Sequence, residues 1–120
     1  MNLNIEDIEK NLNNLLSDNK SNPDDPDINH HIGILYGQKG EYDLSATHLQ
    51  KAIINKPECS EIWVSFIEVL FAFNKLDNVN DVVKEALYKS TNSALIFNAL
   101  GRLHYAKGNI NAAEENLKLA

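Results

Sequence analysis

Reaction chemistry would first be sought in four histidines (His30, His31, His48 and His104), the single cysteine Cys59, and the carboxylate pairs Asp24-Asp25 and Glu114-Glu115. A structural metal needs three or four N, S or O ligands converging on one point. On a helix His30 and His31 point about 100° apart, so they cannot chelate one ion from one face. His48 and His104 fall in separate segments, and no cysteine or carboxylate stands beside them at ligand spacing. The histidines therefore read as core or solvated side chains. The paired carboxylates read as a loop and a solvated helix face rather than as an acid and its base. There is no glycine-rich phosphate cradle, nucleophile elbow or metalloprotease helix. The expectation is a chain with no catalytic residue, no cofactor and no metal of its own.

Composition narrows the class further. Of the 120 residues, 43% are hydrophobic and 23% charged, proportions of a folded, soluble chain. The net charge is -6 and Arg102 is the only arginine, which argues against nucleic acid, whose binding requires clustered cations. Met1 to Lys10 has no basic start followed by an apolar run, as a secretion signal would. The most apolar stretch, Ile62 to Phe73, is interrupted by Ser65 and Glu68 and is short of the roughly 20 residues of a membrane span. A lone cysteine suits a reducing compartment, and a cytoplasmic location is expected.

What must position any functional side chain is a repeat. Side chains of like type recur every 34 residues: Ile32, Phe66 and Leu100; Tyr36, Leu70 and His104; Gly40, Asn74 and Gly108; Leu49, Val83 and Leu117; Ala52, Ala86 and Ala120. Apolar positions within each unit have helical spacing, with a break at Gly40 and its counterparts where the chain must turn. Helices are expected at about 4–18, 27–39, 43–55, 60–73, 77–89, 94–107 and 111 to the end. In the first of these, Ile5, Ile8, Leu12, Leu15 and Leu16 share a face, and Ile8, Leu15 and Pro23 lie one repeat before Tyr42, Leu49 and Pro57. That helix reads as the second half of a degraded repeat and as a cap. Ala120 falls inside a helix, so the chain reads as the N-terminal piece of a longer protein whose uncovered end invites self-association.

The pattern Asn29, Ile32-Gly33, Tyr36, Gly40, Tyr42, Ser45, Ala52 and Pro57, with its two returns, resembles the tetratricopeptide repeat. The resemblance implies an all-α, right-handed superhelical solenoid of antiparallel helix pairs. Its parts are a capping helix and linker (1–25), repeats at 26–59 and 60–93, and a third, truncated in its second helix, at 94–120. Asn29, Ile67 and Val79 depart from the family's preferences. Where repeats one and three pair Gly33 with Ser45 and Gly101 with Ala113, repeat two sets Ile67 against Val79, and its helix pair should be wider.

The same resemblance places a concave partner groove on the first helices. It comprises Asp27, His30, Ile34 and Gln38, then Glu61, Val64, Glu68, Phe71 and Ala72, then Leu95, Asn98, Arg102 and Tyr105. An acidic and apolar lining of this kind suits a peptide or partner protein with apolar anchors and basic side chains, unless Phe71 instead packs on a neighbouring repeat. The function implied is a protein-binding scaffold. The columns used by chaperone-binding members to clamp a carboxylate, and the asparagine ladder of sugar-transferring members, are occupied by other residues. Glu61 to Glu68 with Leu76-Asp77 nevertheless resembles repeat arms that precede bacterial glycosyltransferase or sulfotransferase domains, which leaves a recruiting arm of a larger enzyme as the alternative.

Overall fold

Backbone geometry confirms the periodicity bond by bond. In the computed structural model, which describes residues 4–120, the amides of Glu41, Lys75 and Asn109 bond the carbonyls of Tyr36, Leu70 and His104 at 2.9, 2.7 and 2.8 Å. Between each pair lies the turn residue, with φ of 83° at Gly40, 57° at Asn74 and 82° at Gly108. A left-handed residue is what lets a helix end and reverse without stranding its last carbonyls, and glycine adopts it at no steric cost. Helix ends repeat as well. Amides of Asn22, Lys56 and Ser90 close on the carbonyls of Asp18, Ala52 and Ala86, so three helices end at 34-residue intervals.

The elements are α1 (Ile5–Ser21), α2 (Pro26–Gln38), α3 (Tyr42–Asn55), α4 (Ser60–Ala72), a 3-10 turn (Leu76–Asn78), α5 (Val79–Lys89), α6 (Ser93–Ala106) and α7 (Ile110–Leu119). Among the described residues there is no strand, and no helix is long and apolar enough to cross a membrane. Side-chain caps start three of the helices: the Oδ1 atoms of Asn4, Asp25 and Asn92 accept from the amides of Glu6, Ile28 and Leu95. Pro26 opens α2, where its missing N–H costs nothing. The chain divides into two compact units, Met1–Lys56 and Pro57–Ala120.

In the first unit α2 packs on both α1 and α3. Ile8, Leu12, Ile32, Leu49 and Ala52 form its apolar interior. Gly33 sits where α3 comes closest, and the Ser45 hydroxyl donates to its carbonyl at 2.6 Å. Asn29 is fully buried and donates through Nδ2 to the carbonyls of Pro23 and Asp25, at 2.9 and 3.0 Å. Its Oδ1 accepts from Asn19 at 3.4 Å and from His48 at 2.8 Å. The apolar stripe expected of α1 loses one member: Ile5, at the first position of the helix, is 65% exposed.

In the second unit α4 is the central element, with Ile62, Trp63, Ile67, Leu70 and Phe71 almost wholly buried. It packs on α5 and α6, and α6 on α5 and α7. Trp63 shares the column of Asn29, and its indole N–H donates to the carbonyl of Pro57 at 2.7 Å, the counterpart of the Asn29–Pro23 bond. Phe97 has no donor to offer there. The link before α6 is instead tied by Thr91, whose amide and hydroxyl both donate to the Glu58 carbonyl, and by the Asn92 amide, which donates to the Ser60 hydroxyl.

Repeat two is the looser pair. Its second helix begins as the 3-10 turn and becomes α-helical only at Val79, and α4 approaches α5 closely over a much shorter stretch than α2 approaches α3. Ile67 and Val79, which hold the columns of Gly33 and Ser45, are both buried, and two larger side chains in those columns are accommodated more readily by wider backbones than by compression.

Candidate protein-binding faces

Helical spacing decides which first-helix residues reach solvent, and each unit offers its own face. In the first unit α2 presents Asp27 and Gln38 exposed, with His30 and Ile34 half-buried. The Asp27 carboxylate lies 3.9 Å from the Lys56 ammonium, a solvated pair of little energetic weight. The Asp27 carbonyl accepts from His31 Nδ1 at 2.8 Å.

In the second unit Glu61, Glu68 and Ala72 are exposed on one stripe of α4, and Asn98, Arg102 and Tyr105 are exposed on α6 beside the half-buried Leu95. These two helices pack directly on each other. Their exposed groups comprise two carboxylates, one guanidinium, an amide and a phenol, which together can form charge-assisted hydrogen bonds and stack on an apolar side chain.

Two expected groove residues need correction. Phe71 is only 3% exposed, packed edge-on against His104 with ring centroids 5.3 Å apart and an interplanar angle of 87°. It is a tie between α4 and α6 and cannot anchor a ligand. Val64 is buried as well, at 8% exposure. Tyr105, in the same column as Phe71, is 67% exposed and is the aromatic that remains accessible.

The histidines are dispersed. His48 stacks on Tyr36, with centroids 5.7 Å apart, and donates to Asn29. Burial first, and the nearby Lys51 charge second, push its pKa below the ordinary imidazole range. His104 Nδ1 is buried with no hydrogen-bond partner, and among the described residues no group of three His, Cys, Asp or Glu is placed to hold a metal ion.

Sequence reasoning missed one feature of the first unit. A groove of about 450 Å³ runs between α1 and α2, lined by Asn11, Asn14, Leu15, His31, Ile34 and Leu35. Its signal was present in the repeat register: α1 lies one 34-residue period before α3, yet no helix precedes it among the described residues as α2 precedes α3. Neither a family model nor a curated protein sequence matches the chain.

Proposed function

We propose that the chain is a tetratricopeptide-like, solenoid-forming binding module that holds a peptide or partner protein on the exposed faces of its first helices. The reading is supported chiefly by the recurrence of one hydrogen-bonded helix–turn–helix geometry in three successive pairs. Stacked units of this kind exist to present a continuous surface, and their faces carry function rather than a reaction centre. In the second unit that surface is Glu61 and Glu68 on α4 beside Asn98, Arg102 and Tyr105 on α6. The carboxylates select basic side chains, while Tyr105 supplies rigid contact area at low entropic cost.

Selection of randomised peptides against the whole chain tests this. Enriched peptides should combine apolar residues with Lys or Arg. Their binding should weaken at least tenfold in Glu68→Lys and in Tyr105→Ala, both at exposed positions. Peptides whose binding is indifferent to Glu61→Lys, Glu68→Lys and Tyr105→Ala alike would overturn the proposal.

A further inference from the structure

We infer that the open groove between α1 and α2 is the seat of a basic amphipathic helix supplied by another polypeptide, a docking site that shares Ile34 with the first unit's face and is separate from the face on α4 and α6. The argument starts from the chain's own repetition. Shifted by two repeats, α1 and α2 fall on α5 and α6, and the matching helix-end bonds at Asn22 and Ser90 fix the correspondence. In the second unit the counterpart surface carries a helix: α4 packs against both α5 and α6. Its effect on the lining is direct. Val79, in the column of Asn11, is 6% exposed, and Ala99, in the column of His31, is fully buried. Asn11 and His31 themselves stand open to solvent. What closes these columns elsewhere in the same chain is a helix of α4's kind, one with buried apolar side chains spaced by three and four residues.

The lining specifies how the occupant differs from α4. Leu15, Ile34 and Leu35 are half-buried and form an apolar floor for two or three anchors. Asn11 and Asn14 replace Val79 and Val82, which keeps the open groove wettable and asks the occupant for hydrogen-bonding groups at its edge. Asp7 and Asp18 stand one helical turn to either side of Asn11 and Asn14, and Asp27 stands one turn before His31. Lys10 is the only cation on the same stretch of α1, while Lys39 at the end of α2 pairs with Glu9 at 3.6 Å and Lys56 with Asp27 at 3.9 Å, so Asp7 and Asp18 carry most of the unpaired charge. An acidic rim around an apolar floor favours a helix with Lys or Arg along its flanks, which also steers its approach.

The experiment uses the intact chain labelled for NMR and a synthetic peptide of residues 60–73 carrying Glu61→Lys, Ser65→Lys, Glu68→Lys and Ala72→Lys. Saturable shifts should appear at the amides of Asn11, Leu15, Ile34 and Leu35, and binding measured by anisotropy should weaken at least tenfold in Leu15→Arg. Asn14→Arg, at an exposed position, should weaken it comparably with an unchanged far-UV spectrum, which separates lost binding from lost folding. No saturable shift, or shifts confined to the residues around Glu68 and Tyr105, would overturn the inference. So would sedimentation showing a dimer of the chain that Asn14→Arg dissociates, since the occupant would then be a second copy. Failure here leaves the peptide selection on α4 and α6 unaffected, because Asn14 and Leu15 lie outside that face.

Discussion

His48 donates from Nδ1 to the Oδ1 of Asn29 across 2.8 Å. The direction follows from the rest of the network, because Asn29 Nδ2 already faces the carbonyls of Pro23 and Asp25. One fully buried amide thus joins α1 (through Asn19), the connector, α2 and α3. Replacing it by Leu, similar in volume, removes every side-chain bond and leaves part-buried partners that water reaches only in part, where one fully buried unsatisfied group costs about 1–3 kcal/mol. Asn29→Leu should therefore lower unfolding free energy by about 2–4 kcal/mol in urea titrations, and a loss below roughly 1 kcal/mol would mean that water substitutes for the network.

The burial of His48 also makes stability depend on pH. The folded pKa of His48 is lowered, by burial and then by Lys51, from an ordinary value of 6.5. The unfolded chain therefore takes up the proton more readily than the folded one. Stability is whole above the unfolded value of 6.5, falls as pH drops through it, and stops falling below the lowered folded value. Urea midpoints at pH 7.5, 6.0 and 5.0 should decline in that order for the native sequence. The decline should shrink in His48→Gln, and an equal decline would assign it to other groups.

Gly33 and Gly101 share a column but should respond differently to Ala. An added Cβ would lie 2.6 Å from Leu49 Cγ in the first case and 2.6 Å from Leu117 Cγ in the second. Leu49 is fully buried and cannot yield, whereas Leu117 is 48% exposed and can rotate outward. Overpacking costs about 1–3 kcal/mol, against which Ala gains up to about 1 kcal/mol of helix propensity. Gly33→Ala should be destabilised by about 1–2 kcal/mol, and Gly101→Ala should stay within about 0.5 kcal/mol of the native chain or gain. Thermal melts of the two variants that coincide would show that Leu117 is as fixed as Leu49.

Recurrence made the helices and turns legible, because a turn glycine or a close-approach glycine acts on its neighbours along the chain. Asn29 was harder to read. In an aromatic column it looks like a mismatch, and only the fold reveals that its amide makes to Pro23 the bond that Trp63 makes to Pro57. Phe71 and Tyr105 show the limit more clearly. They share a column, yet one is buried against His104 and the other is in water, since periodicity fixes which face a residue is on and not whether another helix covers that face. The groove beside α1 was missed for the same reason.

Asn74 is the one residue other than glycine among those described with positive φ, at 57°. Gly40 and Gly108 hold the same column, and a Cβ added at either would meet nothing within 4 Å, so the cost of a side chain there is one of backbone conformation alone. Left-handed backbone costs an L-residue roughly 1–2 kcal/mol, less for asparagine. Asn74→Gly should raise the unfolding free energy by up to about 1 kcal/mol, while Gly40→Ala and Gly108→Ala should each lose about 1 kcal/mol. Stabilisation by either alanine would contradict the turn geometry.

Truncating the two aromatics of one column separates folding from recognition. Phe71→Ala removes a ring held edge-on against His104 and leaves a void beside an imidazole nitrogen that already lacks a partner. Buried Phe→Ala changes cost about 3–5 kcal/mol, so this variant should show a greatly lowered urea midpoint and lose binding only because it unfolds. Tyr105→Ala changes a side chain that is 67% exposed and should leave the midpoint within about 0.5 kcal/mol of the native value. At a urea concentration where both remain folded, peptides selected on this face should bind Phe71→Ala nearly as well as the native chain and Tyr105→Ala poorly. The reverse ranking would place the contact surface on the other side of α4 and α6.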